Sequence, residues 1–422
     1  MSKVLHITTH MGGGIGNALS SLVCADIENE NTIVLLQEQK KLLYIEKCLS
    51  AGIEVKITSS PKEIEHYIID SDVVIFHWWN HPLMIKVMLE LPSVLMKCAL
   101  WCHVSGGTYP YLPFEFLNLF SKVIFTSQCS YDNSFWGKEE RTLIESKSRV
   151  IYGLGRLSKF ETKRSFSFVS DEVRIAYVGT LLKSKIHPKY VEICKMIIEK
   201  NPNVHFYLYG DKEDGEWISE EAEKKGISNN VHLEGFSENI NTILLSMDLF
   251  GYPLNPYNYA TTENSILEAL AAGLPVVLLN QGAEKYIVDT GVDGLLADDV
   301  YDYVKCVIDL VANETLRCSL GRQAVKDVYL KFNFEQNVRK YLDLVTEMGY
   351  CESRNVFFRD TLKTPYQAFM FFLNCMDRNK LLNKQYTDLE YIFKEKTKSS
   401  IFQFLEIFPD DSEIIQLAKE IG

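Results

Sequence analysis

The sequence contains no long hydrophobic run. Apolar side chains make up 46% of its 422 residues, but no apolar stretch approaches the roughly 20 residues that a membrane-spanning helix needs. Residues Met1–Ile7 lead directly into a strand-like segment, without the apolar stretch and small-residue cleavage site of a signal peptide. We therefore expect a cytoplasmic protein, either soluble or held peripherally at the inner face of the membrane.

Cysteine pairs and an excess of positive charge are also missing. No two of the ten cysteines have the CxxC spacing of zinc or redox motifs, so we expect reduced thiols. The chain has 44 Lys and Arg against 56 Asp and Glu, a net charge of −12. Because binding phosphates needs a basic surface, nucleic acid is not an expected partner. Residues 1–170 hold 17 basic and 17 acidic side chains, so this half is better suited to an anionic partner or a membrane surface.

Short β-branched or aromatic runs alternate with helical stretches in the first half of the chain. Several runs are apolar almost throughout, which is typical of parallel strands covered by helices on both faces. Such alternation predicts a doubly wound α/β domain, which we place at residues 1–165. The runs predicted as strands are Val4–Thr8, Thr32–Leu36, Ile53–Thr58, Asp72–His77, Cys98–His103, Lys122–Thr126 and Arg149–Ile151.

The same pattern restarts after a polar segment at 156–172, which we interpret as a linker. A second α/β domain is therefore predicted at residues 173–348. From about residue 350 the strand patterns stop, so residues 349–422 are predicted to be a helical extension whose aromatic stretches belong to the core. The predicted strands of the second domain are Arg174–Gly179, Val204–Tyr209, Val231–Gly235, Leu249–Tyr252 and Pro275–Leu279.

Two groups of residues in the first domain follow predicted strands, and open α/β sheets bind ligands at the carboxyl ends of their strands. Four glycines within Gly12–Gly16 open a helix, so a ligand can approach the backbone closely there. A tight turn is the structural alternative. His103 ends a buried strand and is either a functional group or a hydrogen-bonded structural histidine. His77 has a similar place beside Trp78-Trp79, a pair that we interpret as core rather than a sugar-stacking wall.

The second domain has two lysines after the strand that ends at Gly179. Lys183 and Lys185 are both near enough in sequence for an ammonium group to reach a diphosphate at the strand tip. Solvated surface lysines are the alternative for both positions.

A capping sequence, Thr261-Thr262-Glu263-Asn264, precedes the next helix. The backbone N–H groups and the dipole of a helix N-terminus attract an anion. Glu268 is expected one turn into this helix, facing a pair of ligand hydroxyls, and Glu263 is expected at the mouth of the site. A capping box on a buried helix is the alternative.

The residues Glu268–Val277, EALAAGLPVV, resemble the signature of retaining GT-B-fold glycosyltransferases, family 4 in particular. Other features match that family in order: the glycine-rich loop, His103, Val178-Gly179, Lys185 and Gly291–Leu296. The resemblance covers about residues 1–348. It implies a GT-B fold, in which two Rossmann-like, doubly wound domains face a cleft and a C-terminal helix crosses back onto the N-terminal domain.

The resemblance implies a retaining, metal-independent hexosyltransferase without a cofactor. It would move a sugar from a nucleotide diphosphate-sugar, with UDP favoured over GDP, to a glycan, lipid-linked or protein acceptor in cell-surface polysaccharide synthesis. The implied catalytic residues are His103, Lys185 and Glu263, with His103 contacting the donor sugar. Glu268 would hold the ribose hydroxyls. The implied nucleotide-sugar-binding residues are Gly13, Gly14, Gly16, Asn17, Thr180, Lys183, Thr261, Thr262, Asn264 and Glu268.

The sequence departs from the family pattern at two positions. Ala260 stands where the family has a second glutamate, and Thr180 stands where it has an arginine. Glu263 and Lys183 are the predicted substitutes. These losses leave an alternative function open, that of a catalytically silent GT-B subunit that binds and supports a partner enzyme. A sugar-nucleotide epimerase is a weaker alternative, because further acid/base carboxylates are not evident in the first domain.

Overall fold

The computed structural model describes residues 1–158, 160, 171–373, 395 and 399–422. These residues form two compact units. Unit 1 contains Met1–Gly155, Tyr259–Thr262 and Phe334–Gly422, and unit 2 contains Arg156–Asn258 and Glu263–Asn333. Most of the predicted linker at 156–172 lies outside the described residues.

The strands of the described residues are β1 (Lys3–Thr8), β2 (Glu30–Leu35), β3 (Glu54–Ile57), β4 (Val73–Trp78), β5 (Val94–Met96), β6 (Cys98–Cys102), β7 (Lys122–Phe125), β8 (Ser148–Val150), β9 (Val173–Val178), β10 (Val204–Tyr209), β11 (Val231–Leu233), β12 (Leu249–Tyr252), β13 (Val276–Leu279), β14 (Leu295–Ala297) and β15 (Arg354–Val356). Their helices are α1 (Gly13–Ala25), α2 (Leu43–Ser50), α3 (Pro61–Ile69), α4 (Pro82–Glu90), α5 (Phe114–Leu117), α6 (Lys138–Lys147), α7 (Tyr190–Lys200), α8 (Glu216–Lys224), α9 (Ile240–Ser246), α10 (Asn264–Ala271), α11 (Val300–Ala312), α12 (Glu314–Lys331), α13 (Phe334–Gly349), α14 (Arg359–Leu362), α15 (Pro365–Leu373), α16 (Ile401–Ile407) and α17 (Ser412–Ile421).

Unit 1 is built on a seven-stranded sheet in the order β3-β2-β1-β4-β6-β7-β8. All its neighbouring strands are parallel, and the seven strands predicted in the first half all occur in it. The apolar runs suit this sheet because helices cover both faces, and every residue of β4 is buried. The strand order reverses between β1 and β4, which is where such sheets bind ligands.

The C-terminal part of the chain completes unit 1. Helix α13 buries Tyr341, Leu344 and Val345 against the sheet face that carries Ile75 and Trp101. Most of this helix was predicted to belong to the second domain. Its amphipathic pattern, with one apolar face, fits the surface of either sheet equally well, so the pattern alone does not determine where it packs.

The extension after residue 350 contains a strand that the sequence analysis did not predict. Strand β15 pairs antiparallel with β5, with Asn355 opposite Leu95. Both strands have three residues, which is too short for a recognisable alternation. The aromatic side chains of α15 and α16 are core, as predicted: Phe369, Phe372 and Phe404 are buried in unit 1.

Unit 2 is built on a six-stranded parallel sheet in the order β11-β10-β9-β12-β13-β14. The five strands predicted in the second half are present, and β14, with three residues, was missed. None of the helices described here is both long and apolar enough to cross a membrane.

Candidate functional site

The glycine-rich loop of unit 1 joins β1 to α1. The helix begins at Gly13, and its first turn has no acidic residue and no capping side chain. Gly13 and Gly14 are exposed, whereas Gly16 is buried. A side-chain hydrogen bond fixes the loop before these glycines, because the Met11 N–H donates to Gln39 Oε1 at 2.6 Å. The structure therefore presents an exposed backbone at Gly13 and Gly14, at the carboxyl end of β1.

Gly16 has no space for a side chain. A Cβ atom there would lie 2.2 Å from the Met11 carbonyl oxygen and 2.5 Å from the Tyr44 ring. We expect Gly16→Ala to lower the free energy of unfolding by about 1–3 kcal/mol, because the backbone oxygen has to move. Urea denaturation measures this change. Gly349→Ala is the matched control, since a Cβ there meets no atom within 4 Å, and an equal effect of both substitutions would contradict the packing argument.

Asn17 lies on the inner side of the same loop. Its Oδ1 accepts from the Ser21 hydroxyl at 3.4 Å, and its amide packs so closely on Gly155 that a Cβ there would lie 2.4 Å from Oδ1. Asn17 was predicted to bind the nucleotide-sugar, and this prediction stays open.

His103 lies at the carboxyl end of β6, half-buried. Its Nε2 is 2.9 Å from Nδ1 of His77, which is fully buried at the end of β4. Burial lowers the pKa of His103 to about 3 and that of His77 well below its ordinary value. Both imidazoles are therefore neutral at pH 7. Trp78 is buried, as predicted for the Trp pair, but Trp79 is only half-buried and lies edge-on to His103, with 6.2 Å between ring centroids.

Thr261 and Thr262 belong to unit 1 and use their hydroxyls there. The Thr261 hydroxyl is 2.7 Å from that of Thr126, which follows β7. The Thr262 hydroxyl donates to the Thr126 carbonyl and accepts from the Gly153 N–H at 3.1 Å. These bonds hold the segment 259–262 at the carboxyl ends of β7 and β8. The roles predicted for these threonines concern their backbone groups and remain predictions.

In unit 2, Lys185 and Glu263 form a tight ion pair. Lys185 Nζ is 2.6 Å from Glu263 Oε1, and the Tyr252 hydroxyl donates to Oε2 at 3.0 Å. Glu263 is 9% exposed and is the residue immediately before α10. Glu263 was expected at the mouth of the site, and Lys185 was expected to be near enough to reach a diphosphate at the strand tip. The structure pairs the two side chains, because a buried charge requires a partner of opposite charge. Their predicted roles toward a ligand remain predictions.

Tyr252, which donates to Glu263, belongs to an aromatic stack. Tyr252 stacks on Tyr177 with 4.6 Å between ring centroids, and the Tyr177 hydroxyl donates to the Thr180 carbonyl at 3.0 Å. Gly179 makes room for this arrangement, since a Cβ there would lie 2.8 Å from the Tyr252 hydroxyl. The strand end at Val178-Gly179 is thereby fixed next to Lys185 and Glu263 in unit 2.

Glu268 and Asn264 lie one turn apart on α10, so both are on one face of the helix. Glu268 is half-buried, and its carboxyl group forms no hydrogen bond or ion pair with any residue that the structure describes. Burial raises the pKa of its carboxyl group to about 7. An unpaired carboxylate in a poorly solvated position is suited to accept hydrogen bonds from ligand hydroxyls.

Lys183 is directed elsewhere. Its side chain is 51% exposed and lies over the Trp217 ring, with 4.8 Å from Nζ to the centroid, and 3.9 Å from Glu221 on α8. The structure therefore does not bring Lys183 into the ion pair of Lys185 and Glu263.

Glu284 was missed by the sequence analysis. It is fully buried in the loop after β13, and burial raises its pKa to about 8, with the charge of Glu263 adding to the rise. Its carboxyl group is therefore mostly protonated at pH 7. The sequence feature that could have identified Glu284 is its position shortly after a buried strand and Gly282. Other candidate residues were identified from positions that likewise follow a strand.

Among the residues that the structure describes, no group of three or more His, Cys, Asp and Glu side chains is arranged to hold a metal ion. The nine described cysteines are free thiols.

Comparison with known proteins identifies related sequences. Residues 172–313 match the family model described as glycosyl transferases group 1. The poly(ribitol-phosphate) alpha-N-acetylglucosaminyltransferase of Staphylococcus aureus is 22% identical over 238 residues, which are 50% of this chain and 47% of that protein. The lipopolysaccharide core biosynthesis glycosyltransferase LpsE of Rhizobium meliloti is 25% identical over 150 residues, 35% of this chain and 43% of that protein. The matches thus span less than half the length of these relatives.

Comparison with solved structures identifies the fold. The crystal structure of Anabaena Alr3699/HepE in complex with UDP-glucose has a TM-score of 0.63 and 15% sequence identity, and the match covers 82% of this chain and 100% of that one. This likeness confirms the predicted GT-B fold, with its two parallel sheets and surrounding helices, and the helical C-terminal extension is present as well.

Proposed function

We propose that this chain, which has a GT-B fold and matches the family model of glycosyl transferases group 1 over residues 172–313, is a retaining glycosyltransferase. It transfers a sugar from a nucleotide diphosphate-sugar, preferably a UDP-sugar, to a glycan, lipid-linked or protein acceptor in the cytoplasm. The names of the relatives from Staphylococcus aureus and Rhizobium meliloti refer to poly(ribitol-phosphate) and to lipopolysaccharide. These names support an acceptor in the synthesis of cell-surface polymers.

The observation that supports this proposal is that Lys185, Glu263 and Glu268 lie around the start of α10 in unit 2. Lys185 is fixed by Glu263 immediately before the helix, and Glu268 lies unpaired one turn into it. We assign the diphosphate to Lys185 and the N-terminal N–H groups of α10, because ammonium groups and helix N-termini both stabilise phosphate charge. We assign the two ribose hydroxyls to the Glu268 carboxylate.

The reaction that we propose needs no carboxylate nucleophile. The bond from the anomeric carbon to the diphosphate oxygen breaks while the acceptor oxygen bonds to the same face of that carbon. The proton of the acceptor hydroxyl passes to the departing phosphate oxygen. The enzyme's main task is then to stabilise negative charge that grows on the diphosphate. Lys185 and the α10 dipole supply that stabilisation, and we propose that a metal ion is not required.

Calorimetric titration with UDP and with GDP, in the presence and absence of EDTA, tests the proposal. We expect UDP to bind, EDTA to leave its affinity unchanged, and Glu268→Ala to weaken it by about 10-fold or more, because a charge-assisted hydrogen-bond acceptor is removed. Release of UDP from UDP-sugars in the presence of candidate acceptors then identifies the donor. A folded protein that binds neither nucleotide, or a Glu268→Ala variant that binds and turns over normally, would overturn these assignments.

One observation favours a second candidate function. Ala260, which replaces the second glutamate of the family pattern, is a buried residue of unit 1. A silent GT-B subunit that supports a partner enzyme has no need of that glutamate. This function predicts that the protein binds no nucleotide-sugar but raises the activity of a co-purifying transferase.

A further inference from the structure

Three histidines form a continuous array across the sheet of unit 1. His6, His77 and His103 come from β1, β4 and the end of β6, which are neighbouring strands. His6 Nδ1 is 3.1 Å from His77 Nε2, and His77 Nδ1 is 2.9 Å from His103 Nε2. The buried end of the array meets Asn31 of β2, whose Oδ1 is 3.1 Å from His6 Nε2. The array therefore runs from the interior to the half-buried His103 ring.

The orientation of Asn31 is determined by Asp26. Asn31 Nδ2 is 2.8 Å from Asp26 Oδ2, and a carboxylate oxygen only accepts hydrogen bonds. Asp26 is itself held in place, because its Oδ1 accepts from the N–H groups of Glu28 and Asn29, each at 3.0 Å. The amide nitrogen of Asn31 therefore points to Asp26, and its oxygen points to His6.

Counting donors then determines which nitrogen of His6 carries its proton. Asn31 Oδ1, His6 Nε2 and the Tyr341 hydroxyl lie within 3.1 Å of one another. If His6 is protonated at Nε2, Asn31 Oδ1 accepts from both His6 and Tyr341. If it is protonated at Nδ1, a nitrogen lone pair faces the Asn31 oxygen at 3.1 Å, and one hydrogen bond is lost. Because buried polar groups are costly when unpaired, the Nε2–H form is favoured.

The tautomers of His77 and His103 follow from that of His6, because each ring is neutral. Burial lowers the pKa of His6 to about 4 and that of His103 to about 3. A neutral imidazole has one donor and one acceptor nitrogen. His6 Nδ1 must accept, so His77 Nε2 donates to it. His77 Nδ1 in turn accepts from His103 Nε2–H. The remaining nitrogen, Nδ1 of His103, is an acceptor and has no hydrogen-bond partner among the described residues.

We propose that Asn31, His6 and His77 are positioning residues that hold His103 as its Nε2–H tautomer, so that Nδ1 of His103 accepts a hydrogen bond from a sugar hydroxyl. That the hydroxyl belongs to a sugar rests on the proposed function, whereas the tautomer does not. The array acts as a specificity device. A sugar whose hydroxyl donates a hydrogen bond to Nδ1 of His103 binds well. A group that can only accept a hydrogen bond, such as a fluorine, faces the lone pair of that nitrogen and binds poorly.

The tautomer is measured by NMR on the full chain labelled with ¹⁵N-histidine, which distinguishes protonated from unprotonated ring nitrogens. The His103 signals are assigned by their loss in His103→Gln. We expect His103 to carry its proton on Nε2. Tyr341→Phe is expected to leave the His103 tautomer unchanged. Asn31→Leu removes the oxygen that accepts from His6, so the Tyr341 hydroxyl donates to His6 Nε2 instead. The proton of each histidine in the array then moves to Nδ1. A wild-type His103 protonated at Nδ1, or a tautomer that changes in Tyr341→Phe, would overturn the inference even if Asn31→Leu does not fold.

The specificity is measured with deoxy and deoxyfluoro analogues of the UDP-sugar that the enzyme turns over. At one position of the sugar ring, we expect the deoxy and the deoxyfluoro analogue each to have a kcat/KM about 10-fold lower than that of the parent UDP-sugar. Neither analogue can donate a hydrogen bond from that position. Asn31→Leu is expected to lower kcat/KM for the parent sugar by a similar factor but to leave the deoxy analogue at that position unaffected. Equal losses for both substrates would show that Asn31 has only a structural role. Absence of all turnover with the predicted tautomer would count against the proposed function and not against the array.

Discussion

Replacement of Lys185 by methionine is expected to lower the free energy of unfolding by about 3–5 kcal/mol, because it leaves a buried carboxylate without its partner. The side chains of Lys185 and Glu263 are only 20% and 11% exposed, and their charged atoms are 2.6 Å apart. Tyr252 still donates one hydrogen bond to Glu263 in this variant, but one neutral donor does not compensate a buried charge. Urea denaturation at pH 7 measures the loss.

The double variant Lys185→Met/Glu263→Gln separates the structural role of the pair from its proposed role in transfer. Its glutamine is neutral and still accepts from the Tyr252 hydroxyl, so we expect most of the lost stability to return. We expect kcat/KM to remain lower by about 100-fold or more, since the ammonium group that stabilises the leaving diphosphate is absent.

Lys183→Met is the matched control for the stability measurement. Lys183 is half-exposed, and its nearest carboxylate oxygen, on Glu221, is 3.9 Å away. Its replacement is expected to change stability by less than about 0.5 kcal/mol. A stable double variant with the turnover of the wild type would show that Lys185 serves only to neutralise Glu263.

The central strands of both sheets were predictable because they are buried on both faces. A run such as Val73–Trp78, with every residue buried, has no polar position that a helix or loop would need. The strands that were missed, β5, β14 and β15, have three residues each. Pairing of so short a segment depends on its neighbour in space, which the local sequence does not contain.

The contacts within the candidate site could not be predicted from the sequence. Lys185 was identified from its position after a strand and Glu263 from a capping sequence before a helix. They are 78 residues apart, and the ion pair follows only from the folded domain. The burial of Glu263 follows from the same contact. The histidine array had a weak signal, since His6 is a polar residue inside an apolar strand. Its partner Tyr341 is 335 residues away, on a helix that the sequence analysis assigned to the other domain.

Nucleotide-sugar binding is expected to strengthen as pH rises from 5 to 7, and Glu268→Gln is expected to abolish that dependence. Burial raises the pKa of Glu268 to about 7, so the carboxyl group of the free protein is largely protonated at pH 5. In the proposed complex the ribose hydroxyls donate to the carboxylate, so binding requires loss of this proton. Affinity should therefore rise by up to about 10-fold per pH unit below the pKa. Titration with a UDP-sugar is the suitable measurement, because its diphosphate carries no terminal phosphate that titrates in this range.

The same substitution is expected to change how stability depends on pH. The Glu268 carboxyl is protonated in the folded protein up to about pH 7 but ionises near 4.5 when the chain unfolds. A raised pKa in the folded state means that the unfolded chain releases the proton first, so wild-type stability falls as pH rises from about 4.5 to 7. The contribution reaches about 3 kcal/mol. Glu268→Gln has no proton to lose, so it should be more stable than the wild type at pH 8 and similar to it at pH 4.5. Denaturation of both proteins at the two pH values tests this, and parallel pH profiles would show that Glu268 titrates normally and that another group, such as Glu284, causes any dependence observed.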